Sequence, residues 1–116
     1  MAIKSFKDIL AWQKARILTV DIYKAFEGCR DFSFRDQIQR ASISIMNNIA
    51  EGYAKRSDKS FKNYLFISKG SAAEVESMLL IAPELGYISI EKREVLINNT
   101  EEVSKILTGF IRSLPA

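Results

Sequence analysis

The chain has 116 residues, and its 47% hydrophobic and 27% charged content is that of one globular domain with its own core, not of a disordered chain. It contains no histidine and a single cysteine, Cys29; this excludes an intrachain disulfide, the commonest general base, and the zinc and di-iron motifs that need His. The net charge of +3 is uneven, since residues 1–70 hold 13 Lys/Arg against 7 Asp/Glu and residues 71–116 hold 4 against 7, which suggests an anionic partner or head-to-tail association of unlike faces.

The opening MAIKSFKDILAWQK carries charges inside its apolar part, unlike a secretory signal. No apolar run approaches the roughly 18 residues of a membrane span. With one cysteine, these features predict a cytoplasmic protein that does not engage a membrane.

The first helix is expected from about Lys7 to Phe26, with Ser5 and Asp8 as a capping pair. Two stripes run along it: Ile9, Leu10, Ile17, Val20 and Lys24, and Ala11, Ala15, Leu18, Ile22 and Ala25. Such a helix should be covered on more than half its circumference, with Trp12 as a core anchor or interface plug. Gly28 suits a left-handed residue after the helix end. Ser33, with Asp36 three residues on, is the expected cap of the second helix.

That second helix, through QIQRASISIMNNIAEG and ending near Tyr53, organises the chain. At about 100° per residue, Phe34, Ile38, Ala41, Ile45, Ile49 and Gly52 share one side. Gln37, Arg40, Ser44, Asn48 and Glu51 form a polar line beside it, and Ile43, Met46, Ala50 and Tyr53 a second apolar patch. The helix therefore needs partners on two sides, and the second patch is the expected oligomer interface.

A short connection, capped by Ser57 or Asp58, leads to a third helix from about Lys59 to Leu85. Phe61, Leu65, Ser68, Ala72, Val75, Leu79 and Ala82 alternate steps of four and three, a bundle seam. Pro83 and Gly86 end it. Ser89 caps a fourth helix with the seam Leu96, Thr100, Val103, Leu107, Phe110 and Leu114; its outer face carries Lys92, Glu94, Glu101, Glu102, Lys105 and Arg112. Short loops between four amphipathic helices predict an all-α, antiparallel up-down-up-down bundle spanning 1–116 as one domain.

In an antiparallel hairpin turning near Arg56, residues whose numbers sum to roughly 112 face each other. Gln37, Arg40, Ser71 and Glu74 are then expected to form one network, extended by Ser44, Asn48 and Glu51. Two readings stand: polar groups that specify register and assembly, or a small-ligand site with Glu51 and Glu74 as acids. No nucleophile or metal partner has recognisable spacing, so no catalytic residue, metal or cofactor is assigned and the chain is read as non-enzymatic. Lys55, Arg56, Lys59, Lys62 and Lys69 lie within fifteen residues holding one acid, Asp58, and Lys59, Lys62 and Lys69 share a helix face with Phe66. They are candidate RNA or DNA contacts; the other reading is a solvated helix start.

The run Q-x-x-R-A-x-x-S-I-x-x-N-I-A-E-G at 37–52 resembles the signature of the bundle proteins encoded in intervening sequences of bacterial 23S ribosomal RNA genes. The likeness extends to S-F-K-D-I-L-A-W-Q-K-A at 5–15, K-G-S-x-x-E at 69–74 and L-G-Y-I at 85–88. Met46 stands where that family more often has proline, and Lys69 where arginine is frequent. The resemblance implies an antiparallel four-helix bundle assembled as a homopentameric ring. A related branch, the accessory protein of diversity-generating retroelements, is a basic pentamer that binds nucleic acid and a reverse transcriptase. The expected function is thus a self-associating bundle that holds RNA or DNA non-specifically, the alternative being an adaptor for protein partners without nucleic-acid affinity.

Overall fold

Residues 3–115 are described by a computed structural model. A 3-10 turn at Phe6–Asp8 precedes four α-helices: α1 (Leu10–Phe26), α2 (Phe32–Ala54), α3 (Asp58–Ile81) and α4 (Ile90–Ser113). Each helix packs on its neighbours in sequence and α1 also packs on α4, while the diagonal pairs α1/α3 and α2/α4 stay apart. The result is the expected all-α, up-down-up-down bundle, an elongated square measuring 44 × 21 × 20 Å.

Several boundaries differ from expectation for local reasons. Ser5 caps the 3-10 turn rather than α1, accepting from the Lys7 amide, and Ile9 is extended and buried before α1 begins. Trp12 is half-buried and meets Phe6 edge-on at 5.1 Å, holding the turn against α1. Gly28 does not have a positive φ; the left-handed residues are Arg56 (φ 56°) and Gly86 (φ 79°). The cap of α2 is Asp31, not Ser33, because the Asp31 carboxylate accepts the Phe34 amide at 3.0 Å. Ser57 and Ser89 cap α3 and α4 as expected. Helix α3 stops at Ile81, before Pro83, and Gly86 closes the turn with its amide bonded to the Pro83 carbonyl.

The seam of α3 is buried at every expected position, from Phe61 to Ala82. Four hydroxyls lie in the core, and each has a carbonyl partner. Thr19 Oγ1 on α1 lies 3.0 Å from the Ser42 carbonyl on α2, and Ser68 Oγ on α3 donates to the Ile45 carbonyl on α2 at 2.8 Å. Ser42 and Thr100 bond back along their own helices. Buried side-chain polar atoms are all satisfied among the described residues, so these small polar residues permit close helix approach without an unpaired donor.

The helix α2 does need two sides covered, and both covers come from its own chain: α1 with the 3-10 turn on one flank, α3 on the other. Met46 and Tyr53 pack against the core, Tyr53 donates to the Ile3 carbonyl at 2.9 Å, and Ile43 and Ala50 are half-buried. Helix α1 is covered on more than half of its circumference, as expected, and its open side carries Leu10, Ile17 and Val20.

The far end of the bundle is fastened by one hydrogen bond between its two turns. Tyr87 donates to Asp31 Oδ2 at 2.5 Å while its ring meets Phe34 edge-on at 5.0 Å. This bond, with the Phe34 and Ser33 amides, holds the Asp31 carboxyl below its usual range and pushes the Tyr87 hydroxyl up to about 12. The depressed acid stabilises the fold fully above its unfolded value of 3.8 and loses that contribution as pH falls through the lowered one. The raised phenol contributes fully below 10.0 and loses its share as pH rises toward about 12. Tyr87→Phe keeps the ring contact and deletes only the bond. Its melting temperature should lie a few degrees below wild type across the neutral range, and the gap should close at both pH extremes in paired thermal melts.

Candidate nucleic-acid interface

The α2–α3 hairpin has a connection of only three residues, which puts its basic side chains at one end of the bundle. Lys55 closes α2, its amide bonded to the Gly52 carbonyl and its ammonium 5.8 Å from the centre of the Tyr64 ring. Arg56 takes the left-handed conformation that lets the chain reverse, at a cost of roughly 1–2 kcal/mol for a residue with a Cβ. Ser57 then starts α3, whose first two turns carry Lys59 and Lys62 where the helix dipole is positive. Lysines at that position repel the dipole, so their placement does nothing for helix stability.

Lys55, Arg56 and Lys59 are exposed; Lys62 and Lys69 are half-buried. None of the five makes an ion pair among the described residues, where the salt bridges are Lys14–Glu102, Arg35–Asp36 and Arg93–Glu94. Five cations against the one acid among them, Asp58, leave a local positive field available to an anion.

Two further cations come from the outer face of α4. Phe61 and Phe110 meet edge-on at 5.3 Å and fix the antiparallel register of α3 and α4. With a rise of about 1.5 Å per residue, that register brings Arg112 to the level of Lys59 and Lys105 to the level of Phe66. Both line a shallow groove with Ser104, Thr108 and Gly109, bounded by Glu101 and by Glu76 of α3. The spacing of Lys105 and Arg112, one α4 stripe seven residues apart, was the available signal; it has meaning only once the α3–α4 register is known.

The polar line of α2 is partly assembled. Gln37 donates to Glu74 at 3.2 Å, Ser71 donates to Ser44 Oγ at 2.8 Å, and Asn48 donates to Ser44 Oγ at 2.9 Å. These pairs follow the expected α2–α3 register. Arg40 lines the same open groove but forms no ion pair among the described residues, and Glu51 is exposed. The expected half-buried charge pair is therefore not formed: Arg40 and Glu74 both stay in water, where an ion pair gains little. The groove joins hydroxyls, amides and exposed charges without a nucleophile–base pair, and no group of three metal-ligating side chains occurs among the described residues.

Residues 7–109 match the family model for the 23S rRNA-intervening sequence protein. A solved structure from Bacteroides thetaiotaomicron VPI-5482, a protein of unknown function from the S23 ribosomal protein family, superposes with a TM-score of 0.84 at 28% identity. The match covers 92% of this chain and 99% of that one. No curated protein matches the chain. The chain belongs to the 23S rRNA-intervening sequence protein family.

Because Arg40 is exposed and unpaired, Arg40→Ala should change stability by no more than about 0.5 kcal/mol. Thermal or urea unfolding checks this; a loss of several kcal/mol would restore the buried pair expected from sequence.

Proposed function

We propose that this member of the family is a non-enzymatic, cytoplasmic subunit that associates with copies of itself and holds RNA or DNA without sequence preference. The carrying observation is a set of cations without ion pairs among the described residues: Lys55, Arg56, Lys59 and Lys62 at the α2–α3 turn, Lys69 at the middle of α3, and Lys105 and Arg112 in the groove of α4. Phosphate contacts from such side chains supply most non-specific nucleic-acid affinity. Each subunit's contacts are modest, and a ring repeats them around an axis, where linked weak sites bind far more tightly than one alone.

Self-association is supported by where the bundle leaves apolar surface. Leu10, Ile17 and Val20 are exposed along α1, and Phe66, Ile67, Leu80 and Ile81 along α3. These two helices are diagonal in the square, so their outer faces point in opposite directions. Two unlike apolar faces on opposite sides favour head-to-tail contacts, and such contacts close into a ring when the rotation between subunits allows it. The resemblance to a pentamer-forming family makes five the expected number. On this reading the contact uses the outer faces of α1 and α3 rather than Ile43, Met46, Ala50 and Tyr53, which are half-buried within the chain. A pure protein adaptor is the competing function and predicts the same assembly without nucleic-acid affinity.

Anisotropy titrations with labelled RNA and DNA should show binding that weakens by at least about a hundredfold between roughly 50 and 200 mM salt. Lys59→Ala and Lys62→Ala should each lower the salt slope by about one. No binding, or binding indifferent to salt, favours the adaptor. Light scattering should give a mass several times the 13.2 kDa of one chain, and Ile17→Lys should reduce it to that of one folded subunit. A wild-type monomer at micromolar concentration would contradict the self-association.

A further inference from the structure

We infer that the nucleic acid held by the basic end is single-stranded, with an unpaired base stacked on Phe66. This inference rests on the nucleic-acid reading above and narrows it to a substrate class. Phe66 is one of the most exposed apolar side chains in the molecule, with 56% of its surface in water. Leaving a phenyl ring out of the core forgoes about 1.5–3 kcal/mol of burial, and this ring makes no aromatic or cation–π contact with any of the described residues.

Its neighbours give the exposure a use. Lys62 and Lys69 lie one turn before and one turn after it on the same flank of α3, the flank toward α4, with Lys59 a further turn back. Across the groove, at the same level, is Lys105, and Arg112 lies beside Lys59. The groove floor on α4 is made by Ser104, Thr108 and Gly109, where even an added Cβ at Gly109 would meet nothing within 4 Å. The groove is therefore low and small-featured, with Lys105 and Arg112 on its α4 side among the carboxylates Glu76 and Glu101, while Phe66 and the α3 lysines stand outside its lining on the adjoining surface of α3. From Lys59 to Lys69 the helix rises about 15 Å, enough for several nucleotides of a strand.

A positively charged groove with an aromatic platform is the arrangement by which proteins hold single strands: phosphates follow the cations and bases stack on the ring. A duplex cannot use the ring, because its base faces already cover one another. By the same register Glu101 lies level with Gly70, beside Lys69 and one turn from Lys105, so the surface ceases to favour phosphate there and the strand's phosphates lie from Lys62 toward the α2–α3 turn. Ile67, about 100° around the helix, and Leu80 and Ile81, more than about 15 Å further along it, remain available for contact with another copy.

The test compares a fluorescein-labelled oligothymidine of about 15 nucleotides with a hairpin duplex of the same charge, at one fixed salt concentration. The single strand should bind more tightly. Phe66→Ala should weaken single-strand binding at least about fivefold, the lower bound for one lost stacking contact, while duplex binding stays within twofold, and Phe66→Trp should restore it. Equal affinity for both oligonucleotides with a silent Phe66→Ala would overturn this inference and leave the nucleic-acid reading intact. Binding of neither would defeat both. A fall in assembly mass on Phe66→Ala, read by light scattering, would assign the ring to a contact between copies and overturn the inference as well.

Discussion

The structure depends on how closely α2 and α3 approach at their turn. Gly52 faces α3 there, and a Cβ in its place would lie 2.6 Å from Tyr64 Cβ and 2.9 Å from the Phe61 ring. Tyr64 Cβ is tied to its backbone and cannot swing aside, so any larger residue must push the helices apart. Overpacking of this kind costs about 1–3 kcal/mol, more than the roughly 1 kcal/mol that a helical alanine gains over glycine. Small residues continue the approach along the seam: Ser68 inserts beneath Ile45 and bonds its carbonyl, and Ser71 reaches Ser44. The tight pair is then closed into a square by α1 and α4.

From that geometry the surface follows. The tight turn gathers Lys55, Arg56, Lys59 and Lys62 at one end, and the Phe61–Phe110 contact brings the basic half of α4 alongside. The opposite end is closed by Asp31 and Tyr87 and contributes no comparable cluster. Unpaired cations thus gather toward one end of the bundle, whereas the outer faces of α1 and α3 each carry several exposed apolar side chains. A molecule with these two features has distinct surfaces for its copies and for an anionic strand.

Much of this was legible in the residues. The 3.6-residue period of α3 names its buried seam completely, because Phe61, Leu65, Ser68, Ala72, Val75 and Leu79 keep one side of the helix on the core while the half-buried positions, such as Lys62 and Lys69, lie on its flanks. The α2–α3 register was legible too, since a short turn leaves one antiparallel pairing, and Gln37–Glu74 obeys it. Errors arose where local chemistry had competing solutions. Asp31 and Ser33 could both cap α2, and Asp31 prevailed because its second oxygen also accepts from Tyr87, 56 residues away. Gly28 was free to be left-handed, but the reversal that needed positive φ fell on Arg56. Arg40 has a charge but lies on the water side of its groove. The second patch of α2 demanded cover, and the period alone could not say that α1 and the Ile3 carbonyl supply much of it. Lys105 and Arg112 went unassigned because their companions lie on another helix.

The central claim, that the cations converging on the α2–α3 turn form one anion-binding surface, is tested most directly by lysine footprinting of the assembled protein. Acetylation would be followed residue by residue in mass spectra, with and without an oligonucleotide. Protection confined to Lys55, Lys59, Lys62, Lys69 and Lys105, with Lys14, Lys24 and Lys92 still reactive, is the result expected of that surface. Uniform protection, or none at the turn, would contradict it.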